Sequence, residues 1–88
     1  MANLPGTEFI EQGIRDLERG EETVESLLVS IGAPRLRALG VAVPSAIEEP
    51  ELRLYRRLAV QHGAGAHSRY NALVRRLTSY QRAAACAK

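Results

Sequence analysis

Few side chains in this chain have the types needed for chemistry. The imidazoles of His62 and His67 and the thiol of Cys86, the single cysteine, are the soft donors. A zinc site needs three or four ligands in convergent geometry. His62 and His67 flank the Gly63-Ala64-Gly65 link, whereas Cys86 lies near the far end of what reads as one helix, ~30 Å away by helical rise. The three cannot meet within one chain, and no metal is expected. Ser68 adjoins His67, but neighbours on a helix do not face each other, and no Gly-x-Ser-x-Gly string is present. Ser68 reads instead as an N-cap. The glycine link lacks the preceding strand that a phosphate-cradling loop needs. No catalytic residue and no cofactor are therefore expected, and the chain reads as a non-enzyme.

Two short strings bear on this expectation. Arg57-Leu58-Ala59-Val60-Gln61-His62 fits an Arg-x4-His pattern. It resembles the motif of helical ribonucleases of the HEPN class. Over these six residues the resemblance implies Arg57 and His62 acting at an active site on a dimer interface, and it supplies an enzymatic alternative. The segment around Gly32, with Arg35 and Arg37 after it, resembles a helix-turn-helix. The segment before it is acidic and would be repelled by phosphates.

Charge is divided unevenly. Residues 1–50 hold nine acids against four arginines, while residues 51–88 hold eight bases against one acid, Glu51, within a net charge of +2. Either the halves attract each other in the fold, or the basic half meets an acidic partner. The candidate binding residues are Arg53 and Arg57 on one helix and Arg75 and Arg82 on the next. Arg75 and Arg82 are seven residues apart, close to two turns, so they should project from one side.

These residues must be positioned by helices. Thr7 to Arg19 is expected to be helical, with Thr7 as N-cap and Phe9, Ile10, Gly13, Ile14 and Leu17 on one stripe. Gly13 within that stripe costs about 1 kcal/mol relative to Ala, which close approach of another helix would offset. Val24, Leu27, Leu28 and Ile31 define a second helix closed by Gly32. Pro34 then opens a short third helix ending before Gly40. The connector Val41–Glu49 reads as extended up to Pro44, and Pro50 is the preferred N1 of a fourth helix. That helix should bury Leu52, Tyr55, Leu58, Ala59 and His62, leaving Arg53, Arg56, Arg57 and Gln61 outside. A fifth helix from Ala66 or Ser68 carries Tyr70, Leu73, Val74, Leu77, Tyr80 and Ala84, and forms an αα-hairpin with the fourth. No strand alternation persists.

The expectation is one all-α domain over residues 1–88: a compact bundle of four main helices plus one short helix, with a C-terminal αα-hairpin. At 88 residues the core is thin. One cysteine excludes an intrachain disulfide. The first residues lack a signal-peptide pattern and no run is long enough to span a membrane, so a cytoplasmic protein with no membrane contact is expected. Val29, Leu54 and Val60 fall off the main apolar stripes, as do the connector valines, which suggests a homodimer contact. The expected function is that of a small accessory or regulatory protein acting through a protein partner. A nucleic-acid-binding regulator using the basic hairpin is the alternative.

Overall fold

The computed structural model describes residues 4–87. Four α-helices follow in order: α1 (Thr7–Glu18), α2 (Val24–Ala38), α3 (Pro50–His62) and α4 (Ala66–Cys86), with one 3₁₀ turn, Gly63–Gly65, between the last two. No strand occurs among the described residues. The all-α class and the C-terminal αα-hairpin are as expected; the short helix at Pro34 and the buried face of α3 are not.

The main difference lies in α2. It does not stop at Gly32 but runs through Gly32 and Pro34 to Ala38, absorbing the short helix expected at Pro34. An interior proline removes one backbone hydrogen bond and costs about 3 kcal/mol in isolation. Burial outweighs this, because α2 is the central helix, packed against α1, α3 and α4. Leu27, Leu28, Val29, Ala33 and Leu36 are all at most 1% exposed, and Ser26 and Ser30 are buried too, so α2 is enclosed on most of its circumference rather than along one stripe. Gly32 acts as a contact point, since Leu77 and Gln81 of α4 lie so close that a Cβ there would meet them at 2.8 Å.

Close approach also explains Gly13. A Cβ at that position would lie 2.5 Å from the Glu25 carbonyl oxygen and overlap the Val29 side chain. The crossing of α1 over α2 therefore depends on the missing side chain. Gly6, with φ of 80°, is the N-cap of α1 rather than Thr7, whose hydroxyl donates to the Leu4 carbonyl at 2.7 Å.

The α1–α2 turn is fixed by a buried acid. Thr23 caps α2, its Oγ1 accepting from the Ser26 N–H at 3.0 Å while the Ser26 Oγ accepts from the Thr23 N–H at 2.7 Å. The same Thr23 hydroxyl donates to Asp16 Oδ2 at 2.6 Å, and Gln12 donates to Asp16 Oδ1 at 2.9 Å. The Thr23 hydroxyl bond holds the Asp16 carboxyl below its usual range; burial opposes it, and Gln12 and the charges of Arg19 and Arg15 reinforce it. This arrangement satisfies a carboxylate that is only 4% exposed.

Beyond Gly40 the connector folds back onto α2. Arg37 donates to the carbonyls of Val43 and Pro44, and the Ile47 N–H donates to the Ser30 hydroxyl at 3.0 Å. Val41, Val43 and Ile47 pack on the core. The connector valines are thus used within the chain, not left for a dimer. At Pro50 helix α3 begins with proline at its first position, after Glu49 in the left-handed region at φ of 50°.

Helix α3 is rotated relative to expectation. Leu54 (0% exposed) and Leu58 (2%) face the core, whereas Leu52 (45%) and Tyr55 (41%) are exposed, as are Ala59 and His62. Apolar residues occupy both sides of this helix, so periodicity alone does not choose the face. With Leu54 and Leu58 inward, Arg53 and Arg57 fall beside Glu22 in the turn that precedes α2. Gly63, with φ of 55°, then reverses the chain, and α4 returns along α3. The 21 residues of α4 span ~32 Å and dominate the 39 Å long dimension of the molecule.

Candidate docking face

The basic residues fall into two sets with different fates. Arg53 donates to Glu22 Oε1 at 3.0 Å. Arg57 donates to the Glu22 carbonyl at 2.9 Å and to Oε2 at 3.3 Å. Its Nε is buried without a hydrogen-bond partner. One acid of the N-terminal half therefore neutralises both α3 arginines of the expected site. This is the mutual attraction of the halves, confined to one corner.

Arg75 and Arg82 differ. Both are exposed on α4, and neither pairs with a carboxylate among the described residues; Arg75 Nε reaches only the Asn71 carbonyl, at 3.4 Å. Arg56 and Arg69 likewise lack an acidic partner there, and Arg76 lies over the Phe9 ring at 5.2 Å from its centroid. The four arginines expected to form one basic face are thus split between an internal ion-paired corner and a free outer side. Lys88 lies outside the described residues.

The residues expected at a dimer contact separate in the same way. Val29 and Leu54 are each 0% exposed inside a single chain, which removes both as contacts. Val29 is enclosed because α2 is surrounded, and Leu54 because of the rotation of α3. Val60, at 88% exposure, remains outside. Leu52 and Tyr55 join it as exposed large apolar side chains on α3. Tyr55 meets Tyr70 of α4 with ring centroids 5.8 Å apart and planes inclined at 58°, a favourable tilted aromatic pair. Burial, with the Glu51 carboxylate, pushes the Tyr70 hydroxyl above its ordinary value, so it stays neutral near pH 7.

Two concavities border this region. A notch of about 200 Å³ is lined by Val24, Leu58, Gln61, His62, Arg69, Ala72, Leu73 and Arg76. A wider cleft of about 450 Å³ lies against the first turn of α1, lined by Leu4, Glu8, Phe9, Glu11 and the shared Arg76 among others. His62 borders the notch, while Arg57 of the Arg-x4-His string is committed to Glu22, and no hydrogen bond joins the two. His67 Nε2 accepts from the Asn71 amide at 3.2 Å. Among the described residues no three His, Cys, Asp or Glu side chains gather as metal ligands. The helix-turn-helix likeness dissolves because the turn at Gly32 is helical and Arg37 holds the connector. No described helix is long and apolar enough to cross a membrane. Comparison with known proteins found no family model, curated protein or solved structure that matches the chain.

Sequence reasoning missed the notch. Arg69 and Arg76 stand seven residues apart on α4, as Arg75 and Arg82 do, and that repeat was the available signal. Only the packing of α2 against α3 and α4 turns one of the two pairs into the wall of a concavity.

Proposed function

We propose that this chain is a small non-catalytic helical accessory protein that acts by binding another protein through the outer side of its α3–α4 hairpin. The observation that supports this most is the surplus left after internal pairing. Glu22 takes Arg53 and Arg57, while Arg56, Arg69, Arg75 and Arg82 keep guanidiniums without a carboxylate partner among the described residues on a hairpin that also exposes Leu52, Tyr55 and Val60. Arginine and tyrosine on a partly apolar surface are the residues that dominate protein interfaces. A nucleic-acid partner would use the arginines but leave the apolar side chains in water.

A photo-crosslinking amino acid at Val60 or at Ser79, introduced in native cells, tests this reading. Covalent adducts to a protein, a second copy of the chain included, are expected from at least one position. Adducts to nucleic acid alone, or none above the unirradiated control, would refute it.

A further inference from the structure

We propose that the notch between α2, α3 and α4 receives the acidic amphipathic helix of a partner protein, with one apolar side chain entering over Leu58 and Leu73 and carboxylates meeting Arg69 and Arg76. This inference rests on the protein-binding function proposed above and assigns it a place and a partner chemistry.

The apolar lining of the notch is Val24, Leu58, Leu73 and the exposed Ala72, and its polar lining is cationic or neutral: Arg69, Arg76, His62 and Gln61. No carboxylate lines it. Glu22, two residues before Val24, is already taken by Arg53 and Arg57. The notch thus presents two arginines with no carboxylate in its own lining, and Glu8 and Glu11 approach Arg76 only from the adjoining cleft. A volume of about 200 Å³ falls below the roughly 300–1,000 Å³ of small-molecule sites, so the notch suits one inserted side chain rather than a free metabolite.

The spacing specifies the ligand further. Arg69 and Arg76 lie two turns apart on the same side of α4, ~10.5 Å along its axis. A helix laid alongside α4 presents matching carboxylates when its own acids are seven residues apart, with the apolar anchor midway between them. That is the helix-in-groove mode, read as residues at i, i+3 or i+4, and i+7. Nucleic acid fits less well. No Phe, Tyr or Trp lines the notch to stack a base, and a polyanion long enough to run on past Arg76 would meet Glu8 and Glu11 in the adjoining cleft, which a short helix seated in the notch does not enter.

The test selects random helical peptides displayed on phage against the intact chain, then measures the enriched peptides by fluorescence anisotropy. Three variants are compared with the parent: Arg69→Glu with Arg76→Glu; Arg75→Glu with Arg82→Glu, which changes net charge equally outside the notch; and Ala72→Trp, which fills the notch without changing charge. Enriched peptides should carry two acids flanking an aliphatic or aromatic residue. Affinity should fall about ten-fold or more in the first and third variants and less than about three-fold in the second. Enrichment of acid-free peptides, equal losses in both charge-reversed variants, full binding by Ala72→Trp, competition by a duplex oligonucleotide at equal concentration, or no enrichment would each overturn the proposal. Protein adducts at Val60 or Ser79 alongside any of these failures would refute the notch while leaving the protein-binding reading intact.

Discussion

Replacing Gly13 with alanine sets two opposed effects against each other, and the structure decides between them. Helix propensity favours alanine over glycine by about 1 kcal/mol in a helix interior. At Gly13, however, the new Cβ would lie 2.5 Å from the Glu25 carbonyl oxygen and inside the Val29 side chain. The carbonyl belongs to the α2 backbone and cannot turn away. Val29 is 0% exposed, and its β-branched side chain has one strongly preferred rotamer in a helix. Relief therefore requires α1 to lift from α2, which places the overpacking cost near the upper end of its usual range, about 3 kcal/mol. The net expectation is a loss of about 2 kcal/mol, or a melting temperature lower by roughly 8–16 °C for a domain of this size. Gly65→Ala is the matched control. Its Cβ would meet nothing closer than the His62 Cβ at 3.8 Å, and its backbone is already right-handed. It should stabilise by about 0.4–1 kcal/mol. Thermal unfolding followed by circular dichroism reads both variants. A Gly13→Ala protein as stable as the parent, or more stable, would refute the argument that this helix crossing requires glycine.

Thr23→Val removes both the cap of α2 and the hydroxyl bond to Asp16, and urea unfolding should show a loss of about 2 kcal/mol. The Asp16 carboxyl is depressed in the fold, so its stabilising contribution is complete above the ordinary value of 3.8 and is lost as pH falls through the lower folded value. Acid unfolding should accordingly steepen below pH 3.8, and this segment of the pH profile should flatten in Thr23→Val. Leu54→Glu should abolish the cooperative helical melt, because it buries an unpaired charge in the core. Val60→Glu, at an exposed position, should shift stability by no more than about 0.5 kcal/mol in the same assay.

Much of the fold was legible because glycine, proline and the apolar periods acted locally where they could. The start of α3 at Pro50, the stop at Gly40 and the close approach at Gly13 follow from those signals. Two features were not legible. Gly32 and Pro34 both signal a helix end, and by local preference α2 should have stopped there. It continues because three helices surround it, so that burial of Ala33 and Leu36 exceeds the cost of the proline. In α3, Leu52-Tyr55-Ala59 and Leu54-Leu58 are competing apolar faces, and nothing local ranks them. The choice is made by tertiary packing, which buries both Leu54 and Leu58 against the core, and Arg53 and Arg57 then reach Glu22, whose exposed ion pairs add no more than about 1 kcal/mol.

That same ion-paired corner governs how the site can be read from charge. The division between an acidic first half and a basic second half suggests either mutual neutralisation or an acidic partner, and in the folded chain these are not exclusive. Only Glu22 pairs with arginines across the division among the described residues. The ion pair Arg19–Glu21 lies within the acidic half, and Asp16 is occupied by Thr23 and Gln12. Neutralisation therefore stops after two arginines. A sequence-level charge count treats Arg53, Arg57, Arg75 and Arg82 alike, because it cannot see that an acid in one turn can serve only the helix face packed beside it. Arg75 and Arg82 are exposed on α4 without a carboxylate partner among the described residues, and Arg76, although it shares a cleft with Glu8 and Glu11, forms no ion pair with either. Binding at the notch should respond to Arg69 and Arg76 far more than to Arg75 and Arg82, and be nearly indifferent to Arg53 and Arg57, whose loss should appear as lower stability instead.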